Sequence, residues 1–196
     1  MGVNKERLGS KSGRVLALVL IAVVALGLIN TLFSADVHSH GSSLAFSALL
    51  IYVAWLLFWQ PHITLSDQGV IIVSLLRTHE IPWPRILRID TRWALELFTE
   101  ERKYTAWSAP APGRHVGLLA SKDQGEHLPK TTYLAGTVRP GDLVNTDSGA
   151  AAARVRTLWE EKRNQISNEQ TRTTWSKAKL FVLLFLLGTN AVLILL

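Results

Sequence analysis

The chain has no cysteine, which excludes disulfides, thiolate metal sites and cysteine nucleophiles. Three long stretches, residues 15–33, 43–59 and 180–196, contain no Asp, Glu, Lys, Arg or His. Ionisable groups inside a membrane segment mark ion or proton pathways, so stretches without them read as passive anchors. No serine sits in the glycine-flanked turn of a hydrolase nucleophile, and no glycine loop of the phosphate-cradling kind is present. Glu100 and Glu101 are sequence neighbours, as are Glu160 and Glu161, and adjacent side chains do not converge on one substrate. The expectation is that the protein is not an enzyme and uses no cofactor.

What is present is apolar length. At about 1.5 Å rise per residue, 19 residues span about 28 Å and 17 span about 25 Å, close to the roughly 30 Å hydrocarbon core of a bilayer. The net charge is +6, and its distribution decides its meaning. Lys5, Arg7, Lys11 and Arg14 precede the first run against Glu6 alone, the loop 34–42 has only Asp36, and Arg172, Lys177 and Lys179 lead into the third run. Basic residues beside membrane segments are expected on the cytoplasmic side, so nucleic acid is not implied. The same bias puts the N-terminus and the long stretch 60–178 in the cytoplasm, with 34–42 outside. The alternative, a signal peptide cut near Ser34 and Ala35, fits less well because the run exceeds a usual signal core of about 7–15 residues. Trp55, Trp59 and Trp175 stand near span ends, where indole rings favour the interface.

The stretch between the second and third runs is long enough for one domain. Residues 62–66 alternate, Asp67, Gln68 and Gly69 form a turn cluster, and 70–76 is an apolar, β-branched run, a hairpin pattern. Residues 77–80 are polar and read as a second reversal. Pro82 and Pro84 flank Trp83 and lack ladder donors, so they end a central strand. Apolar segments follow at 86–89, 95–99 and 104–107. Short strands at turn-punctuated spacing indicate an antiparallel barrel or sandwich rather than βαβ units. Residues 109–145 read as a long insertion with short strands at 115–120 and 131–135. A helix is expected over 149–165, capped by Asp147 or Ser148, with Ala151, Val155, Leu158, Trp159 and Ile166 on its packed side. Residues 167–176 show no apolar period and read as a tether.

The expected strands around Ile63 to Ser66 and Val70 to Leu75, the turn Ile81, Pro82 and Trp83 running into Ile86, and the run Ala106, Trp107, Ser108, Ala109 and Pro110 resemble bacterial pleckstrin-homology-like (PH-like) membrane proteins of actinobacterial type. Trp83, Trp107 and Pro110 carry the structural motif of that resemblance, which covers about a quarter of the chain. It implies two near-orthogonal antiparallel sheets in a partly open barrel, with a C-terminal helix closing one end. The expected fold is therefore membrane α plus β: three transmembrane helices and a cytoplasmic PH-like antiparallel β-barrel or sandwich capped by a C-terminal helix. Its expected organisation is a cytoplasmic basic tail at 1–14, spans at 15–33, 43–59 and 180–196, an outside loop at 34–42, the PH-like domain at 60–166 and the tether at 167–179.

PH-like folds bind more often than they catalyse, although fold alone does not settle function. Phosphoinositide-binding relatives flank the first hairpin turn with basic residues; here Ser66, Asp67, Gln68 and Gly69 offer an acidic one. The leading expectation is a membrane-anchored binding or scaffolding module whose partner is an unknown membrane or cytoplasmic protein, beside the lipid bilayer itself. The alternative is peripheral sensing of anionic headgroups by Arg77, Arg85, Arg88 and Arg92, each contributing about 1 kcal/mol near a charged leaflet. Glu80 and Asp90 are interleaved with these arginines, which also suits solvated strand faces. His38 and His40 flank Ser39 in extended spacing, but the topology separates them from His62, and no metal site is expected.

Overall fold

A computed structural model describes residues 5–33, 38–110, 133–134, 137–138, 146–165 and 169–195. The chain forms two compact units, one of residues 1–10, 61–74 and 78–174, the other of 11–60, 75–77 and 175–196. In chain order the elements are β1 (Glu6–Leu8), α1 (Lys11–Leu32), α2 (His38–Ala54) continued by a π-helical turn (Trp55–Trp59), β2 (His62–Leu65), β3 (Gly69–Val73), β4 (Arg77–Pro82), a 3₁₀ turn (Trp83–Arg85), β5 (Arg88–Asp90), β6 (Ala94–Phe98), β7 (Lys103–Pro110), β8 (Tyr133–Leu134), β9 (Thr137–Val138), α3 (Asp147–Lys162), β10 (Arg172–Trp175) and α4 (Lys177–Leu195).

The first unit is built on two sheets, ordered β1-β2-β3-β4-β10 and β5-β6-β7, with β8 and β9 as a separate pair. Alternation places one face of each strand inward. In the antiparallel β2–β3–β4 ladder Ile63 opposes Ile72, Leu65 opposes Val70, and Val70 opposes Ile81. Leu95 and Leu97 face the same core from β6, with Tyr104 and Ala106 from β7. Fully burying an aliphatic side chain of this size contributes about 1.5–3 kcal/mol, so this cluster is the main source of the unit's stability. Helix α3 contacts β5, β6, β7 and the 3₁₀ turn. It contributes Ala151, Ala152 and Val155 to the core, with Leu158 and Trp159 packed at its margin, and the Trp159 indole donates to the Ile86 carbonyl at 2.9 Å.

Several elements differ from the sequence expectation. Residues 77–80, expected as a polar reversal, form most of β4, because only its last residues Ile81 and Pro82 are buried and a strand with solvated flanks shows no apolar period. The basic tail holds β1, which pairs with β2 through Glu6 opposite Leu65 and Leu8 opposite Ile63. The stretch expected as a tether holds β10, whose burial is slight throughout. β7 runs on to Pro110, opposite Ala94, across an irregular register between Ala94 and Leu95, so Ala109 and Pro110 belong to the sheet and not to the insertion. The expected strand at 115–120 and Ile166 lie outside the described residues; Tyr133 and Leu134 of the expected strand at 131–135 pair with Val138 and Thr137.

Helix α3 starts two residues earlier than expected and stops at Lys162. Its cap is Thr146, whose hydroxyl accepts from the Gly149 amide at 3.0 Å. Thr146→Ala should cost about 0.5–2 kcal/mol, the usual loss of an N-cap acceptor. Thr146→Ser should restore most of it, as read by the denaturation midpoint of the full-length protein.

In the second unit α2 packs against both α1 and α4. The Asn190 amide donates to the Ala45 carbonyl at 3.0 Å and to the Leu186 carbonyl at 2.8 Å, and the Tyr52 hydroxyl donates to the Lys179 carbonyl at 2.9 Å. These contacts join the start of α2 to the end of α4 and the end of α2 to the start of α4, so the two helices run antiparallel. Among the described residues two helices are long and apolar enough to cross a membrane, Ser12–Thr31 and His40–Trp59; α4 has 19 residues. Trp55 and Trp59 lie at the end of α2 where Tyr52 meets α4, and Trp175 stands just before α4. The Ser176 amide bonds to the Leu76 carbonyl at 2.9 Å.

Candidate functional site

The hairpin turn between β2 and β3 is locally determined. The Ser66 hydroxyl donates to the Gly69 carbonyl at 2.9 Å and accepts from the Gly69 amide at 3.2 Å, while the Ser66 carbonyl takes the Trp83 indole N–H at 3.0 Å. Trp83 is 0% exposed, so this tryptophan of the sequence motif is a structural bolt holding the turn.

Asp67 in that turn is matched by a cation that sequence proximity does not reveal. Lys162, on the last turn of α3, reaches it at 2.6 Å. Beside it Arg154 of α3 bonds to Glu6 of β1 at 2.6 Å, and this hydrogen bond, with the Glu6 charge, pushes the Arg154 guanidinium above its ordinary range. The two pairs line a cleft of about 460 Å³ with Lys5, Leu158 and Glu161. A second groove of about 350 Å³ lies on the other side of the turn, with Gln68, Ile71, Glu80, Glu169 and Arg172 in its walls. In both, carboxylates and cations are mixed, and Arg154 and Lys162 of the first are already paired. Such surfaces favour mixed polar contacts over a dense polyanion, which calls for converging unpaired cations.

The four arginines singled out by the sequence each have a local partner. The Arg77 guanidinium lies 3.8 Å from the Trp175 ring centroid, Arg88 stacks 4.1 Å from Phe98 across the β5–β6 pair, and Arg92 stands 5.8 Å from Trp93. Arg85 is 4.0 Å from Glu100 and donates to the Glu169 carbonyl at 3.5 Å. Arg88 opens β5 whereas Arg92 lies in the turn beyond its other end, so these residues do not converge in one pocket. Cation–π pairs at exposed sites contribute about 0.5–1 kcal/mol and leave guanidinium edges free to donate.

The outward face of β5–β6–β7 is the more distinctive surface. Glu96 is 7% exposed, and its carboxylate accepts from Lys103 Nζ at 3.0 Å and from the Thr105 hydroxyl at 3.3 Å. Two large apolar groups beside these strands are open: Trp93, just before β6, is 68% exposed and Trp107 of β7 71%. Trp107 sits where β7 loses register with β6, a bulge of the kind that re-aims side chains. The sequence motif thus combines a buried tryptophan, Trp83, with a presented one, Trp107, while Pro110 is an exposed residue paired with Ala94. Alternating burial in β7, where Tyr104 and Ala106 face inward, was the signal in the sequence that Trp107 points outward.

A further polar cluster joins three distant segments. The Thr173 hydroxyl of β10 lies 2.9 Å from His79 Nδ1 of β4 and 2.7 Å from Arg102 Nη2 in the β6–β7 turn, and Arg102 Nε donates to the Tyr104 hydroxyl at 2.9 Å. No group of three or more His, Cys, Asp or Glu gathers to hold a metal among the described residues.

Comparison with known proteins agrees with this architecture. A family model described as Bacterial PH domain matches residues 60–160, just over half of the chain, from the end of the π-helical turn to the last turns of α3. No curated protein and no solved structure matches. The matched region takes in β2 to β7 and most of the capping helix, the elements that build the shared core, and on that extent the chain belongs to the bacterial PH domain family.

Proposed function

We propose that this chain is a membrane-anchored binding or scaffolding module, with three spans and with its N-terminus and PH-like domain on the cytoplasmic side. The observation that carries the reading is the contrast in solvent demand between the two units. In the helical unit large apolar groups stand open, among them Leu26 at 68%, Phe181 at 71% and Phe185 at 63% exposure. Contiguous apolar surface of that kind requires an apolar surrounding. Cations and indoles cluster at one end of the helices, as an interface belt requires, and the amide of Asn190 supplies the interhelical bond by which polar groups join helices in lipid. α4 is the third span on this reading. The binding partner is a membrane or cytoplasmic protein, met by the surface that bears Trp93 and Trp107, because exposed indoles beside arginine are the side chains that most often dominate protein interfaces.

The absence of cysteine makes the topology directly testable. Gly41→Cys should react with an impermeant thiol reagent applied to intact cells, and Gln68→Cys should react only after the membrane is opened. The opposite pattern, or release of the full-length protein by alkaline carbonate, would sink the anchoring. Site-directed photocrosslinking from position 107 in intact membranes should capture a discrete partner, and loss of every adduct would remove the scaffolding role.

A second reading is supported by Arg92 beside the open Trp93 indole: the same surface senses anionic headgroups at the membrane. With the full-length protein in nanodiscs, quenching by brominated lipid that is lost in the Trp93→Phe and Trp107→Phe variants should then rise with anionic lipid and fall with salt. Quenching insensitive to both eliminates it.

A further inference from the structure

Helix α4 turns one side away from α2. At about 3.6 residues per turn, Lys177, Phe181 and Phe185 follow one another down that side, and Asn190, which bonds to the Ala45 carbonyl of α2, lies on the other. Phe181 and Phe185 are exposed, with ring centroids 6.5 Å apart and planes within 19° of each other. They form a flat apolar wall that begins one turn beyond a cation. At about 1.5 Å rise per residue, the stretch from Lys177 to Phe185 covers about 12 Å along the helix axis.

A second cation stands beside the first. Leu75–Arg77, at the start of β4, belongs to the same compact unit as α4. The Ser176 amide bonds to the Leu76 carbonyl at 2.9 Å, and the Arg77 guanidinium lies 3.8 Å from the centroid of the Trp175 ring, two residues before Lys177. Stacking on an indole occupies the face of a guanidinium and leaves its N–H edge for an oxyanion. Arg85, Lys103, Arg154 and Lys162 of the other unit each have a carboxylate at 4.0 Å or less. Arg77 and Lys177 have no carboxylate partner among the described residues. The sequence of the helical unit, residues 11–60, 75–77 and 175–196, holds a single acid, Asp36, and that residue comes between α1 and α2 in the chain, not beside the start of α4.

Two unmatched cations followed by an open apolar wall repeat the polarity of a lipid, with a phosphate at one end and hydrocarbon at the other. We propose that an anionic phospholipid is held at the start of α4, its phosphate on Arg77 and Lys177 and an acyl chain along Phe181 and Phe185. The site rests on the membrane-anchored reading. A zwitterionic lipid brings its own cation beside the phosphate and gains less from two more. A soluble phosphate has no chain to cover the wall, and an acidic protein segment cannot follow the wall into the apolar length of the helix, where a charged group is costly. Trp175 stands at the depth where indole rings favour the interface, which sets the paired guanidinium at headgroup level.

Native mass spectrometry tests this with the full-length protein in detergent, titrated with phosphatidylglycerol or with phosphatidylcholine of the same chains. The first phosphatidylglycerol should bind about fivefold or more tighter than the first phosphatidylcholine. Arg77→Gln and Lys177→Gln should each weaken phosphatidylglycerol about fivefold, the loss expected for one juxtamembrane cation, and leave phosphatidylcholine unchanged. Arg77→Lys keeps the charge and should keep most of the preference, which separates lost binding from lost folding. Phe181→Ala combined with Phe185→Ala should weaken both lipids alike, and glycerol phosphate, a headgroup without chains, should not displace the bound lipid. Equal affinity of the wild type for the two lipids, a preference unchanged in Arg77→Gln and Lys177→Gln, or displacement by glycerol phosphate would each overturn the site. So would loss of the preference in Trp93→Phe with Trp107→Phe, which would move the lipid to the other surface. Release by alkaline carbonate removes the anchoring and the site together, whereas a carbonate-resistant protein without the preference removes the site alone.

Discussion

Trp83→Ala is expected to lose about 3–5 kcal/mol of domain stability, the range for removing a large aromatic from a packed core. Folded domains have only about 5–15 kcal/mol in total, so the variant should melt near or below growth temperature and accumulate poorly. Two losses coincide at this residue. The side chain is 0% exposed and belongs to the same cluster as Val70, Ile81 and Val155, so truncation leaves a cavity that neighbours from three elements cannot all close. Its indole N–H also satisfies the Ser66 carbonyl at 3.0 Å, and an orphaned buried acceptor costs about 1–3 kcal/mol. Trp83→Phe separates the two terms, because it retains most of the volume and removes the donor. Chemical denaturation of the full-length protein should place it between wild type and alanine; Trp83→Ala with an unchanged midpoint would show that the turn is held elsewhere.

Gly69→Ala should be more damaging than alanine at Gly27, Gly41 or Gly188, and Gly69→Val worse. The reason is space and not dihedral strain, since the φ of Gly69 lies outside the left-handed region. A Cβ at this position would overlap the Ile81 carbonyl oxygen and stand 2.8 Å from both the Ile81 carbonyl carbon and the Pro82 Cα. Those are backbone atoms of β4 and cannot rotate aside. Gly69 opposes Pro82 in the ladder, so relief requires the strands to part at the point where Trp83 bolts the turn. Overpacking of this kind costs about 1–3 kcal/mol or more, and the alanine variant should show a lowered midpoint in the same denaturation series. Gly188→Ala in α4 is the matched control: nothing lies within 4 Å of its added methyl, and helix propensity favours alanine by about 1 kcal/mol. Equal loss in the two variants would mean that the close approach of β3 and β4 is not a constraint.

The elements legible in the sequence were those whose side chains encode burial locally. β2 and β6 were marked by alternation because one face of each packs inward, β3 and β7 by short runs of β-branched or aromatic residues between turn signals, and α1, α2 and α4 by uniform apolarity. The missed strands, β1, β4 and β10, bury little of their length. Each is set by backbone pairing to a neighbour, and a hydrogen-bonding ladder leaves no hydrophobic period in the chain that joins it. The cap of α3 was misplaced by one or two residues for a similar reason, since Thr146, Asp147 and Ser148 are equally able acceptors and only the backbone path selects among them.

The candidate site divides in the same way. That Arg88 and Arg92 sit near aromatics was within reach of sequence spacing, because Trp93 is adjacent and Phe98 is one hairpin away. Lys162 opposite Asp67, Arg154 opposite Glu6, and Thr173 between His79 and Arg102 join residues 70 to 150 positions apart, and no local pattern announces such pairs.

By itself the sequence determined the apolar stretches, the cysteine-free chemistry, the β-rich domain and its family, because composition and short-range periodicity carry burial information along one segment at a time. Only tertiary structure decided that Trp83 is a bolt while Trp107 is presented, that the acidic hairpin turn is matched by a lysine from the capping helix, and that Thr173 of the final strand lies between His79 and Arg102. Those outcomes depend on which distant segments meet, and contact between them is a property of the packed chain.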